Sequence, residues 1–152
     1  RKLGAGSAPV SVVRAAALPL QVLAEGAVIP ALNASGNVRV PDLVVAPSDD
    51  MRGDQVVTDP LLIVEVLSPG NSDETRDNVR AYATLSSVQE IVVVHTGRIL
   101  AEIHRRDPSG AWRPDPELVD RSEQLKLASV GLDCRLDDVY ANTWLTRAKH
   151  TS

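Results

Sequence analysis

The segment LLIVEVLSPGN, Leu61 to Asn71, constrains the fold of this chain more than any other stretch. Its first seven residues are apolar except for Glu65. Because side chains alternate across a strand, such a run is apolar on both faces, which predicts a central strand covered on both sides. An ionised carboxylate in a buried strand is costly unless a partner compensates it. Glu65 therefore faces either a cleft or a partner in the core, such as an arginine or backbone amides.

The patterns on either side of this strand predict a sheet with helices. PDLVVA, which begins at Pro41, and QEIVVVH are typical of further strands. Between them, Asn71 is the predicted N-cap of a helix, and Glu74 completes a capping box. ILAEIHRR predicts an edge strand, EQLKLASV another strand, and RLDDVYANTWLTRA a final helix. This order predicts an α/β or α+β fold with a mixed sheet, whose central strands are residues 61–67 and 89–95.

Length and composition limit the class of protein. A chain of 152 residues suffices for one domain. We expect a single domain over residues 1–152 that lacks some N-terminal sequence, because the chain begins with Arg. No apolar run approaches the roughly 20 residues of a membrane span, and the single cysteine, Cys134, excludes an internal disulfide. We therefore expect a cytoplasmic protein with no membrane contact.

Net charge bears on the kind of partner. The formal charge of −4 argues against a general polyanion binder, which usually carries a basic surface. It does not argue against a nucleic-acid enzyme whose acidic site holds a metal ion.

A second carboxylate, Asp42, opens the apolar strand that follows Pro41. If Asp42 and Glu65 meet in space, they form an oxygen-ligand site of the kind that Mg²⁺ or Mn²⁺ prefers. Such an ion can polarise a phosphoryl oxygen and lower the pKa of water. Taken alone, Asp42 is better explained as a Pro-Asp turn residue that caps local amides, so the metal site depends on the pair.

The order of these motifs resembles a known superfamily. Pro41-Asp42, then VEVLSP over residues 64–69, then a helix that reaches Tyr82, then SVQEIVVV, resembles the PD-(D/E)XK nucleases, and in particular the Uma-two-type family of restriction endonucleases. The resemblance covers roughly residues 37–140. It implies a restriction-endonuclease-like mixed β-sheet flanked by helices. It also implies a metal-dependent phosphodiesterase site, with Asp42 and Glu65 as the metal ligands.

The resemblance further implies a lysine, which this chain lacks at both expected positions. In the superfamily the lysine lies two residues after the glutamate, where this chain has Leu67. In the Uma-two-type family it lies on the following helix, four residues before the tyrosine, where this chain has Asn78. No residue between 3 and 125 supplies an ammonium group, because the only lysines are Lys2, Lys126 and Lys149.

Residues of the helix complete the predicted site. Asn78 would orient a water or donate to a phosphate oxygen, without charge. Glu74 would be a further ligand or its support, and Tyr82 lies near the same helix face. Arg76 or Arg80 would supply positive charge, because guanidinium pairs well with phosphate, although arginine is a poor general base.

From the sequence we predict an endonuclease that depends on Mg²⁺ or Mn²⁺ and cleaves DNA, with Asp42, Glu65 and Asn78 as catalytic residues. A homodimer fits this prediction, since many restriction-type nucleases cut both strands as dimers. Two alternatives remain open. One is a catalytically inactive nuclease-fold descendant that binds nucleic acid or a partner protein through the same cleft. The other is a structural domain in which Arg76 and Arg80 neutralise the two carboxylates.

Overall fold

The apolar run after Pro60 forms a strand, as its pattern predicts. The structure is a computed structural model, and it describes residues 20–30, 38–49 and 56–147. The sequence also predicts the end of a helix at residues 1–4 and a turn at residues 33–37, and both lie outside these ranges. Eight strands and three helices are described here: β1 (Leu20–Ala24), β2 (Leu43–Pro47), β3 (Leu62–Leu67), α1 (Ser72–Tyr82), β4 (Glu90–His95), β5 (Leu100–Arg105), β6 (Glu117–Asp120), β7 (Gln124–Leu127), β8 (Leu132–Arg135), α2 (Leu136–Val139) and α3 (Trp144–Arg147).

Six of the strands form one mixed sheet in the order β1-β2-β3-β4-β5-β6. Only β3 and β4 are parallel, and every other neighbouring pair is antiparallel. The parallel pair needs a crossover connection, and α1 provides it. The predicted central strands are therefore confirmed, since β3 and β4 occupy the two middle positions. β7 and β8 form a separate antiparallel pair.

The two faces of the sheet bury different elements. On one face, Val79 and Tyr82 of α1 pack in a buried cluster with Ile63 and Val93. On the other face, the β7–β8 pair and α2 contribute to a second cluster that includes Leu62. Strand β3 is thus covered on both sides, which its apolar sequence requires. The face beneath α1 also carries Glu65, because it alternates in phase with Ile63.

The start of α1 differs from the predicted capping box. Asn71 precedes the helix, but its side-chain Oδ1 accepts a hydrogen bond from the Ser68 backbone N–H at 2.7 Å. A short 3₁₀ turn, Pro69–Asn71, connects β3 to the helix. Glu74 is exposed in the first turn, where its charge complements the helix dipole. The Asn71 side chain therefore stabilises the SPGN turn that precedes α1, and it does not cap the backbone amides of the helix.

Two expectations about the C-terminal third are wrong. The predicted final helix is broken into α2 and α3, and Asn142 between them has a left-handed φ of 70° that ends helical geometry. The predicted edge strand β5 is covered by β6, through pairs that run from Leu100↔Asp120 to Ile103↔Glu117. In β6 only Val119 is buried, so its sequence carries too weak a pattern to predict a strand. Among the described residues, none of the helices has the length and apolar character to cross a bilayer.

Candidate active site

Glu65 lies in the middle of β3 and is 6% exposed, on the sheet face that α1 covers. Both of its described side-chain donors come from α1 and are uncharged. The Tyr82 hydroxyl donates to Glu65 Oε1 at 2.7 Å, and Asn78 Nδ2 donates to the same oxygen at 3.3 Å. The helix spacing of four residues brings both donors to one side of α1. Glu65 is therefore held in a fixed orientation by two neutral groups.

Asp42 stands beside Glu65 on the neighbouring strand. The β2–β3 ladder ends with the pair Leu43↔Val64, which leaves Asp42 just beyond the paired region. Its side-chain Oδ2 accepts the Val66 backbone N–H at 2.7 Å. The carboxylate thus takes the place of a strand carbonyl at the point where the two strands separate. Asp42 is exposed, so this end of the pair opens to solvent.

Burial and the neighbouring Asp42 carboxylate both disfavour the ionised form of Glu65. Burial, together with the neighbouring Asp42 carboxylate, raises the pKa of Glu65 to about 7, although the Tyr82 and Asn78 hydrogen bonds act in the opposite direction. Burial, and then the contact with Glu65, raises the pKa of the Tyr82 phenol well above its usual value. A buried carboxylate next to a second one is an arrangement that a bound cation would stabilise.

Arg39 is a part of this cluster that the sequence did not indicate. Its Nη1 donates a short hydrogen bond to Asn78 Oδ1, which fixes the amide so that Nδ2 points to Glu65. The backbone of Arg39 exchanges two hydrogen bonds with Val28, at 2.8 and 2.9 Å. Val38 and Val40 on either side are more than half exposed, so the strand alternation turns Arg39 toward the site. A lone arginine between two valines, three residues before Asp42, was the only available signal.

The arginines predicted to supply charge lie elsewhere. Arg76 forms a bidentate pair with Glu102 on β5, at 2.7 and 2.9 Å, and Arg80 pairs with Asp77 on the exposed side of α1. Each arginine is two positions from Asn78, and two positions correspond to a rotation of about 200° around the helix axis. The structure therefore brings together Asp42, Glu65, Asn78 and Tyr82, while Arg76 and Arg80 point away from them. The described contacts do not show these two arginines neutralising Asp42 or Glu65.

Comparison with known proteins places this chain in a family. The family model Uma2, described as "Putative restriction endonuclease", matches residues 11–137, which is most of the chain. The chain belongs to the Uma2 family. An uncharacterized protein of Synechocystis sp., slr1290, is 29% identical over 109 residues, which cover 68% of this chain and 55% of that protein. The chain thus spans about half the length of this curated relative.

A solved structure has the same fold as this Uma2 chain. The crystal structure of a protein from Anabaena variabilis, described as a putative nuclease belonging to DUF820, superimposes with a TM-score of 0.62 at 16% identity. The match covers 90% of this chain and 77% of that one. The predicted nuclease-like mixed sheet flanked by helices is confirmed by this likeness and by the family match.

The donor set of the site fits a hard divalent cation. In the Uma2 chain the Asp42 carboxylate, directly before β2, interacts with the Glu65 carboxylate in the middle of the adjacent strand β3. Mg²⁺ is usually held by one or two carboxylates together with waters and substrate phosphates. Across residues 20–30, 38–49 and 56–147, no group of three or more His, Cys, Asp and Glu side chains could hold a metal ion. Any such ion would therefore rely on the pair and not on a closed protein cage.

Proposed function

We propose that this chain is an endonuclease that requires Mg²⁺ or Mn²⁺ and hydrolyses DNA phosphodiester bonds. The observation that supports this most is the pair formed by Asp42 and Glu65. Glu65 is buried, its described side-chain donors are neutral, and burial together with the neighbouring Asp42 carboxylate raises its pKa to about 7. An arrangement that destabilises its own charge, at an opening between strands, is typical of a functional site.

Each residue of the cluster has a defined task in this proposal. Asp42 and Glu65 would hold the cation, and that cation would polarise the phosphate and lower the pKa of the attacking water. Tyr82 fixes Glu65 Oε1 by its 2.7 Å hydrogen bond, so that the carboxylate does not rotate. Asn78 bridges Glu65 and Arg39. Val66 holds Asp42 through its backbone N–H.

A second candidate function has its own support, namely the missing lysine. Leu67, at the usual lysine position, is 8% exposed and packs in the core beneath α1. Asn78, at the helix position, is neutral. Without an ammonium group at either place, the same cleft would suit a protein that binds nucleic acid or a protein partner but cleaves slowly or not at all.

The deciding experiment combines cleavage with metal binding. We expect wild-type protein to cleave plasmid DNA in Mg²⁺ or Mn²⁺, and to lose this activity in chelator. We also expect Mn²⁺ at about 100 times its dissociation constant to stabilise the fold by about 2.7 kcal/mol in a thermal melt. Glu65→Gln, which keeps the shape but removes the charge, should abolish both effects. Asp73→Asn is the matched control, since it removes an exposed carboxylate from α1, the helix that follows β3.

The outcomes separate the candidates. Cleavage that survives Glu65→Gln would contradict the assigned site. DNA binding without cleavage, together with a gain of cleavage on Asn78→Lys, would favour the binding protein with a degenerate nuclease site. A melt that Mn²⁺ shifts equally in wild type and in Glu65→Gln would remove the metal from this pair.

A further inference from the structure

The positive charge that the lysine would have provided has another candidate source in the structure. Leu67 is buried among apolar side chains, and Asn78 carries no charge. The guanidinium of Arg76 is bound to Glu102, and that of Arg80 to Asp77. Arg39 lies at the same cluster as the two carboxylates and donates to Asn78, the residue at the helix position where the family resemblance implies a lysine.

Two consecutive hydrogen bonds place the Arg39 guanidinium at this site. Arg39 Nη1 donates to Asn78 Oδ1, and Asn78 Nδ2 in turn donates to Glu65 Oε1. Arg39 is half-buried, in a segment held to Val28 by paired backbone hydrogen bonds, so its guanidinium is carried on ordered backbone.

The chemistry of a guanidinium fits one ligand class. Arginine stays protonated, so it cannot accept a proton from water. Its planar fork carries five donors and matches the oxygens of a phosphate. One guanidinium can hold an amide oxygen and a phosphate oxygen at the same time. An arginine at this position can therefore bind the phosphate of a nucleic acid, but it cannot replace a lysine that acts on the nucleophile.

We propose that Arg39 contacts the phosphodiester of the nucleic acid bound at Asp42 and Glu65, and that it supplies the positive charge absent from positions 67 and 78. This inference rests on the proposed function for the identity of the ligand. It adds a residue and a role, because the positively charged side chain of this site comes from the segment before Asp42 and not from β3 or α1. Asn78 then holds the Arg39 guanidinium beside Glu65.

The test measures binding of a fluorescent DNA duplex in Ca²⁺ over a series of salt concentrations. Arg39→Gln should weaken binding about 10-fold, because a charge-assisted hydrogen bond is lost. It should also reduce the slope of log affinity against log salt by about one unit, the signature of one lost phosphate contact. Arg113→Gln removes a charge from an exposed loop residue and should change neither quantity by as much.

A variant that moves the positive charge from position 39 to position 78 makes this test more specific. The double variant Arg39→Gln/Asn78→Lys returns a positive charge to the helix position, and we expect it to recover most of the affinity and of the salt slope. If Arg39 only orients Asn78, Asn78→Ala would reproduce the Arg39→Gln affinity and leave the salt slope unchanged. That result, or an Arg39→Gln protein that binds like Arg113→Gln, would overturn the inference.

One measurement needs no loss-of-charge variant, in case Arg39→Gln does not fold. In wild-type protein labelled with ¹⁵N-arginine, the Arg39 side-chain resonance, assigned with Arg39→Lys, should shift on addition of the duplex. An unshifted resonance at saturating DNA, or wild-type protein that binds no DNA, overturns the inference. A wild type that binds through Arg39 but never cleaves in Mg²⁺ or Mn²⁺ would refute the endonuclease and leave the phosphate contact standing.

Discussion

Two buried glutamates on one face of the sheet, Glu65 and Glu102, have opposite electrostatics. Both are 6% exposed, and Glu65 pairs across the sheet with Val93, which in turn pairs with Glu102. Burial and a neighbouring carboxylate raise the pKa of Glu65 to about 7. The Arg76 guanidinium, assisted by His95, lowers the pKa of Glu102 to about 2 despite its burial. The ionised form of glutamate is thus stabilised at Glu102 and destabilised at Glu65, although both side chains are equally buried.

The difference lies in the partners. Glu102 receives two hydrogen bonds from Arg76 and one contact of 2.6 Å with His95. Glu90, a third buried glutamate, pairs with Arg105. Glu65 instead receives hydrogen bonds from a phenol and an amide and faces Asp42. A buried glutamate that pairs with an arginine stabilises the fold, whereas a buried glutamate beside another carboxylate is suited to bind a metal ion.

The largest effect should come from removing the charge of Glu65. We expect Glu65→Gln to lower the DNA cleavage rate by at least about 100-fold, because one of two carboxylate ligands is lost. The unfolding free energy should stay the same or rise, since the change removes a poorly compensated buried charge. Cleavage assays and urea denaturation of the same preparation measure both quantities. A large loss of stability with intact cleavage would reverse the roles assigned to the two glutamates.

Removing the charge of Glu102 should have the reverse pattern. Glu102→Gln breaks the bidentate pair with Arg76, and we expect the unfolding free energy to fall by about 1–3 kcal/mol. The cleavage rate of the folded protein should change little. Urea denaturation at neutral pH gives the first quantity, and cleavage well below the melting temperature gives the second. A cleavage defect as large as that of Glu65→Gln would show that the Glu102 pair belongs to the active site.

Acid should remove the advantage of Glu102. Its pKa in the folded protein is about 2, below the ordinary value of 4.5, so the folded state favours the ionised form. The stability that Glu102 contributes is therefore complete above about pH 5 and is lost as the pH falls toward about 2. The difference in unfolding free energy between wild type and Glu102→Gln should narrow over this interval. Denaturation curves at several pH values measure it, and a constant difference would contradict the prediction.

The smallest effect should come from the exposed pair on α1. Arg80 and Asp77 are bonded at 2.7 Å, but their side chains are 74% and 69% exposed. Such a pair is screened by water and contributes little. We expect Arg80→Gln to change the unfolding free energy by less than about 0.5 kcal/mol. Urea denaturation compares it with Arg76→Gln, which leaves Glu102 without its bidentate partner and should cost more.

The central part of the fold could be predicted because its signals are local. The apolar strands β3 and β4, and the polar helix between them, have distinct periodicities in the sequence. β6 could not be predicted, since its burial comes from Val119 alone and its pairing with β5 depends on long-range contact. The break between α2 and α3 was missed because a single left-handed residue, Asn142, leaves the apolar pattern unchanged.

The candidate site shows the same limit. Glu65 could be selected from the cost of burying a charge, and Asp42 as a second carboxylate that could meet it, whereas Asn78 could be selected only through the family resemblance. Arg39 could not, because pairing with Val28 carries it to the site and this pairing has no local signal. The sequence proposed Arg76 and Arg80 from their nearness to Asn78 along the chain. The helical phase separates them, since neighbours two positions apart face opposite sides of a helix.

The bond between Asp42 and the Val66 amide has a practical consequence. This amide proton is held by a side chain and not by a strand carbonyl, at the point where the β2–β3 ladder has ended. Its hydrogen-exchange rate therefore records whether the Asp42 carboxylate stays in place or turns toward a ligand. Deuterium uptake at the Val66 amide would therefore report whether a ligand occupies the cleft, before the substrate itself is identified.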